Sequence, residues 1–319
     1  MKVDQALSIV DLQRMAKRRL PRMLFDAVES GVEREMGLAR NETSFHDFRL
    51  LPRYLGNIAE REQSTFCLGQ KFAMPWGLAP TGLAGLFRRG ADEAMAHAAR
   101  QADIPFVLSG ASVASIEEIA AIAAHHVWFH LYPAKSTSIS EDQLRRARDC
   151  GVNTLVLTVD NPIFPKRERE RRSGFGLPPK LTVGNVLESL MHTGWIAEYV
   201  RRGGMPLLKS WAPYAASGAS ALEVAAFFRS QSPSLQTWRE LDVFRKLWPG
   251  NLVLKGIQHP DDAVRAIHAG VNAIAVSNHG GKSFDALPSP LETLPAIRAA
   301  VGPQATLLLD SGVRRGSDV

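Results

Sequence analysis

The chain has 319 residues, 45% of them hydrophobic, and a formal net charge of +6, which is enough for a sizeable core and one large α/β domain. No apolar run reaches the ~18 residues of a membrane span, the polar start Met1-Lys2-Val3-Asp4-Gln5 lacks the apolar core of a signal peptide, and a cytoplasmic chain is expected. Cys67 and Cys150 stand alone without metal spacing and fit a reducing compartment. The basic balance comes without the aromatic–basic interleaving or zinc-finger spacing of a nucleic-acid binder, so it points to an anionic small molecule or an anionic membrane surface.

Ser8 to Arg19 carries apolar residues at helical spacing and ends at Leu20-Pro21. Pro21 suits the first turn of a second helix to Ser30, with Gly31 as its stop. Residues 1–60 are expected to form a helical, then irregular, cap. From Met74 a rhythm sets in. Strands are expected over Trp76–Pro80, Ile104–Ser109, Val127–Tyr132, Thr154–Val159, Leu252–Lys255, Ala273–Val276 and Thr306–Asp310. Helices are expected over Asp92–Ala102, Ser115–Ala124, Glu141–Cys150, Trp238–Trp248, Pro260–Ala269 and Leu291–Val301. Apolar strands alternating with amphipathic helices predict a parallel sheet covered on both faces. Seven such beats favour a (β/α)8 barrel over an open doubly wound sheet. No G-x-G-x-x-G follows the first strand, which weakens a nicotinamide-binding fold.

Two features interrupt the rhythm. Residues 161–237 form an excursion after the fourth strand, too long to be a structureless loop in a compact fold. It holds the charged run Lys166-Arg167-Glu168-Arg169-Glu170-Arg171-Arg172 and an amphipathic helix candidate, Val186–Arg202, suited to an active-site mouth or a membrane surface. The sequence then stops at Asp318-Val319, where the seventh helix should begin, and reads as truncated before strand 8.

The polar residues at the strand ends converge on one pocket in a barrel. They are Pro80-Thr81-Gly82, Ser109, His130 and Tyr132, Thr158 and Asp160, Lys255, Asn278 and His279, and Asp310 followed by Arg314 and Arg315. A turn histidine or a snorkelling lysine would be the plain account of any one of them; six strands ending alike is harder to dismiss. His279 can accept a proton at physiological pH. Asp160 suits pairing with its imidazolium. Lys255 would present an ammonium in a desolvated site and stabilise developing negative charge. Tyr132 can donate to a substrate oxygen, and the fork of Arg167 suits a carboxylate. Arg314 and Arg315 suit a phosphate near the last loops.

These residues closely resemble the FMN-dependent 2-hydroxy-acid oxidase/dehydrogenase family. The resemblance rests on Ala79-Pro80-Thr81-Gly82, Trp128-Phe129-His130-Leu131-Tyr132, Leu157-Thr158-Val159-Asp160-Asn161-Pro162, Leu254-Lys255-Gly256-Ile257, Ser277-Asn278-His279-Gly280-Gly281 and Leu309-Asp310-Ser311-Gly312-Val313-Arg314-Arg315-Gly316, all in register. It implies an FMN barrel oxidising a 2-hydroxy acid to a 2-oxo acid. His279 would be the base, Asp160 its partner, and Lys255 the residue beside the flavin. Pro80, Thr81, Gly82, Ser109, His130, Thr158, Ser277, Asp310, Gly312 and Arg314 would hold FMN, and Tyr132, Arg167 and Lys282 would face the substrate. No metal is expected. The electron acceptor (oxygen, a quinone or a cytochrome) stays open, and a homo-tetramer and peripheral membrane contact are further expectations. The chain departs from the family pattern at Ala27, His130 and Ala111, and has Lys282 where an arginine is usual. The departures predict a substrate bulkier than lactate or glycolate. Two other readings accommodate them: oxidation of an amine or peptide-derived group, or an inactive truncated remnant.

Overall fold

The computed structural model describes residues 3–176, 179–180, 182–232 and 236–319. Met1-Lys2 of the polar start and positions 177–178, 181 and 233–235 of the expected excursion lie outside them. A hairpin comes first, β1 (Thr65–Cys67) and β2 (Gln70–Phe72), turned by Leu68 and Gly69, both at positive φ. Six parallel strands follow: β3 (Phe106–Ser109), β4 (Val127–Leu131), β5 (Thr154–Thr158), β6 (Asn251–Ile257), β7 (Ala273–Val276) and β8 (Thr306–Leu309). They form one sheet in sequential order, β3-β4-β5-β6-β7-β8. A doubly wound sheet reverses at a switch point. This order never reverses, and the winding is that of a (β/α)8 barrel.

The sequence explains the strands directly. β4, β5 and β7 are buried at every position, as continuous apolar runs must be when both faces are covered. Leu108, Phe129, Leu131, Leu155, Leu157, Leu252, Leu254 and Ile274 pack with Trp248 and the inner faces of the helices into one core. Several helices begin with a reciprocal capping box, Ser115 with Glu118, Thr237 with Glu240 and Ser289 with Glu292 among them.

The expected first strand is the main correction. Trp76–Pro80 is reduced to a single parallel bridge, Leu78 to Phe106. Pro75 and Pro80 have no N–H to give a ladder. Gly77 lies so close that a Cβ there would be 2.6 Å from the Pro105 carbonyl. The helix expected from Glu141 begins at Thr137. Among the described residues no strand follows Leu309; Gly316–Asp318 is a single 3-10 turn.

Three helices build the N-terminal cap: α1 (Ile9–Arg19), α2 (Arg22–Glu29) and α3 (Met36–Thr43). Residues 48–64 carry no regular element. The third helix was not expected, because Gly37 and Asn41 are poor helix formers and no side chain caps its start. Packing dictates both residues. A Cβ on Gly37 would meet the Asp285 carbonyl at 3.1 Å, and the Asn41 and Asn278 side-chain amides exchange hydrogen bonds. The excursion carries helices over Glu168–Ser173, Val183–Leu190, Thr193–Arg201 and Ala221–Gln231, joined by irregular segments. The single helix expected over Val186–Arg202 is two, broken at Met191-His192. His192 is turned there between the Arg18 carbonyl at 3.2 Å and Glu188 at 2.9 Å.

Candidate active site

The site grows from the C-terminal end of β7. Ser277 is fully buried, and its Oγ receives the Lys255 ammonium at 2.7 Å and the His279 N–H at 3.1 Å. His279 sits at φ 60°, a left-handed conformation that a non-glycine residue holds only when its surroundings enforce it. Its Nδ1 is 2.9 Å from Asp160 Oδ1, and its Nε2 is 3.2 Å from the Tyr132 hydroxyl. A carboxylate only accepts, so Nδ1 carries the hydrogen and Nε2 is left as the basic atom. Asp160 is brought there by Gly256, at φ 103°, where a Cβ would come within 2.4 Å of the Asp160 Cβ. The signal for Gly256 was present, a glycine directly after the strand-end lysine.

Charge organises the rest. Burial disfavours the ammonium of Lys255, but Asp310 at 2.8 Å and Asp160 outweigh it and hold the lysine above its ordinary value. Burial works against the carboxylates of Asp160 and Asp310 too. His279 with Lys255 for the first, and Lys255 for the second, overcome it and keep both below the ordinary range. Burial pushes the Tyr132 hydroxyl up, with Asp160 adding to it, so it stays a protonated donor. Ser311, which the strand-end survey missed, links Asp310 to the loop. It donates to Asp310 Oδ1 and accepts from the Gly280 N–H, both at 2.9 Å.

A second group lies beside the first. His130 is buried, bonded through Nε2 to the Thr158 hydroxyl, and its ring meets Tyr132 edge to face at 4.4 Å. Burial, with the Lys255 charge adding to it, drives His130 well below its ordinary value, so the ring is neutral. Its Nδ1 has no hydrogen-bond partner. Gly82 approaches Ser109, where a Cβ would be 3.7 Å from the serine Oγ. Thr81 is exposed on the loop between Pro80 and Gly82.

The cations behave differently. Arg167 Nε donates to the Lys282 carbonyl at 3.2 Å, with Nη1 3.4 Å from Glu170. The Lys282 ammonium donates to the carbonyls of Ala27 at 3.1 Å and Ser30 at 2.5 Å, at the end of α2. Arg314 is paired with Glu42 of α3 at 2.9 Å, beside Gly312, whose missing Cβ admits the Asn41 carbonyl. The structure thus joins Tyr132, Asp160, Lys255, Ser277, His279 and Asp310 in one network, and leaves Lys282 and Arg314 bonded to the cap. Among the described residues, no cluster of His, Cys, Asp and Glu has metal-binding geometry.

Comparison with known proteins agrees with this layout. The family described as FMN-dependent dehydrogenase matches residues 16–319. (S)-Mandelate dehydrogenase of Pseudomonas putida is 37% identical over 98% of this chain and 78% of its own length. L-Lactate dehydrogenase of Xanthobacter autotrophicus is 36% identical over 97% and 79%. Among solved structures, the monotopic membrane protein (S)-mandelate dehydrogenase superposes with a TM-score of 0.92 at 36% identity, covering 99% of this chain and 83% of that one. Mandelate oxidase gives 0.80 at 31%, covering 99% and 81%. The chain belongs to the FMN-dependent dehydrogenase family. It is an oxidoreductase that oxidises a 2-hydroxy acid to a 2-oxo acid, with FMN as cofactor.

The residues present fit that cofactor. The buried Nδ1 of His130 is a ring nitrogen without a partner, and Lys255 is a buried donor two strands along the sheet. A flavin's pyrimidine edge offers the complements, an N–H and a carbonyl oxygen. Among the described residues no helix is long and apolar enough to cross a membrane.

Proposed function

We propose that His279 is the base of the reaction, that Asp160 and Tyr132 orient it, and that Lys255 supplies the charge at the cofactor. The observation that carries this reading is the line Asp160–His279–Tyr132, with contacts of 2.9 and 3.2 Å around one imidazole. Asp160 fixes the hydrogen on Nδ1, so Nε2 takes the substrate proton. The imidazolium that results is stabilised by the buried carboxylate. FMN, when bound, would supply the acceptor for the two electrons that leave the substrate carbon. Lys255, kept charged by Asp310, Asp160 and Ser277, faces the negative charge that accumulates there. His130 and Thr158 would hold the cofactor edge, with Ser109, Pro80, Thr81 and Gly82 along its face. Asp310, Gly312 and Arg314 stand on the side where the ribityl chain and phosphate would lie.

The substrate side chain is larger than methyl. Ala27, Gly82 and Ala111 are all small, and two similar proteins carry mandelate in their names. The test is anaerobic reduction of bound FMN by glycolate, lactate and an aryl 2-hydroxy acid. The aryl acid is expected to reduce it fastest, and glycolate as the best substrate would overturn the assignment.

We also place the excursion at a membrane surface. Val183 and Leu187 on one helix, Met191 at its C-cap and Val200 on the next helix are exposed, with Arg201 and Arg202 beside them. One similar protein is a monotopic membrane protein. Cosedimentation with anionic vesicles at low salt is expected, and its loss in a Leu187→Glu/Met191→Glu variant checks the face. A quinone in that surface is the acceptor this placement favours. Faster flavin reoxidation by air than by a quinone analogue would oppose it.

A further inference from the structure

Around His279 the cations are few and mostly committed. Two of the three Lys282 protons go to carbonyls of Ala27 and Ser30, oxygens of the last α2 turn that have no partner within the helix. That is also the negative end of the helix dipole. Arg167 spends Nε on the Lys282 carbonyl and shares its charge with Glu170, which in turn accepts from the Ser30 hydroxyl at 3.3 Å. Lys255 is taken by Asp310 and Ser277. Among the described residues around His279, the free edge of the Arg167 guanidinium, its charge shared with Glu170, is therefore the broadest uncommitted donor surface for an anion, against a single remaining N–H on each lysine.

We propose that recognition of the substrate's C1 group rests on Arg167 alone, that Lys282 is a positioning residue tying the His279 loop to α2, and that 2-hydroxy amides and esters are accepted alongside the acids. This inference rests on the active-site reading above and names the substrate class of that site. A guanidinium edge bonds a carboxamide or ester carbonyl with the same N–H groups it gives a carboxylate. What a neutral group forfeits is the extra strength of a charged acceptor, and Glu170 has already reduced that. With a second free cation the acid would be strongly preferred.

The test compares a 2-oxo acid with its primary amide, for example phenylglyoxylate and its amide. Binding to the FMN-loaded chain is measured by calorimetry, so no turnover is needed. Acid and amide are expected within about tenfold of each other, which is about 1.4 kcal/mol. Arg167→Met should weaken the acid at least tenfold and the amide at least threefold, since both bond the same N–H groups. Lys282→Met should lower both affinities in parallel and leave their ratio within threefold. The unmutated chain gives a second readout. Burial, with Arg167 adding to it, lowers Lys282 to about 8, so its charge is lost as pH rises from 7 to 9.5. The acid-to-amide ratio should stay within threefold across that range. A ratio that falls tenfold, either in Lys282→Met or as pH rises, would make Lys282 a carboxylate ligand and overturn the proposal. If neither ligand binds and no 2-hydroxy acid reduces the flavin, the active-site reading itself fails. Reduction by acids alone, with no response to amides or esters, defeats only the inference.

Discussion

Two halves of the site are built in different ways. The proton-and-charge half, Asp160, Lys255, His279 and Asp310, stands on the ends of β5, β6, β7 and β8, and its members bond to one another. The recognition half, Arg167 and Lys282, stands on loops: Arg167 bonds to the Lys282 carbonyl, 115 residues away, and Lys282 to the end of α2, more than 250 residues away. Chemistry placed on strands is fixed by the sheet. Recognition placed on loops is fixed by whatever packs against them, and it can drift while the chemistry is kept.

Five predictions bear on that contrast, from the largest effect down. His279→Gln should slow flavin reduction by about 10²- to 10⁴-fold without changing flavin content. Stopped-flow reduction measures it, and a loss under tenfold would take the chemistry away from the strand ends. Asp310→Asn leaves the Lys255 ammonium short of a countercharge and should cost about 3–5 kcal/mol in urea unfolding. The same carboxylates predict the acid limb of stability. Asp160 and Asp310 sit below the ordinary range when folded, so the stability they add is present above about pH 4 and is lost as pH falls through their folded values. Melting at pH 3 against pH 6 shows it, and in Asp310→Asn the fall should be shallower. Gly256→Ala forces a left-handed alanine against Asp160 and should cost about 1–3 kcal/mol for backbone strain, plus activity. An Asp160→Gly background should recover the part of that cost due to the clash, and its absence would leave only strain. Ser289→Ala removes a buried cap that also bonds the Ser44 hydroxyl at 2.8 Å. It should cost about 1 kcal/mol, with kinetics unchanged, which marks it as fold rather than site.

The legible part of the molecule follows the same division. Runs such as Thr154–Thr158 and Ala273–Val276 read as buried strands because both faces are covered, and a polar residue closing each run reads as a site residue. The motif resemblance then separated His279 from an ordinary turn histidine. What sequence did not show were features decided by distant packing. Gly37 and Asn41 look like helix breakers until Asp285 and Asn278 are seen against them. Trp76–Pro80 looks like a strand until Pro80, and Pro75 just before it, are asked for hydrogen bonds. Lys282 keeps the charge expected of its position, and only the structure shows where that charge points. Ser311 was passed over because its role is to join two loops rather than to end a strand.

The paired amides of Asn41 and Asn278, 237 residues apart, have a consequence for how the chain folds. The helix carrying Asn41 emerges early in synthesis. Its partners Asn278, Gly281 and Gly312 emerge more than 230 residues later. Closure over such long separations is slow, and surface waiting for its partner is exposed to aggregation in the meantime. The cap is therefore the last piece to settle, and refolding should show a slow phase, reported by Asn41→Ala, after the strand core has formed. Yield on overexpression would then be limited by holding the first fifty residues soluble, which co-expressed chaperones should improve.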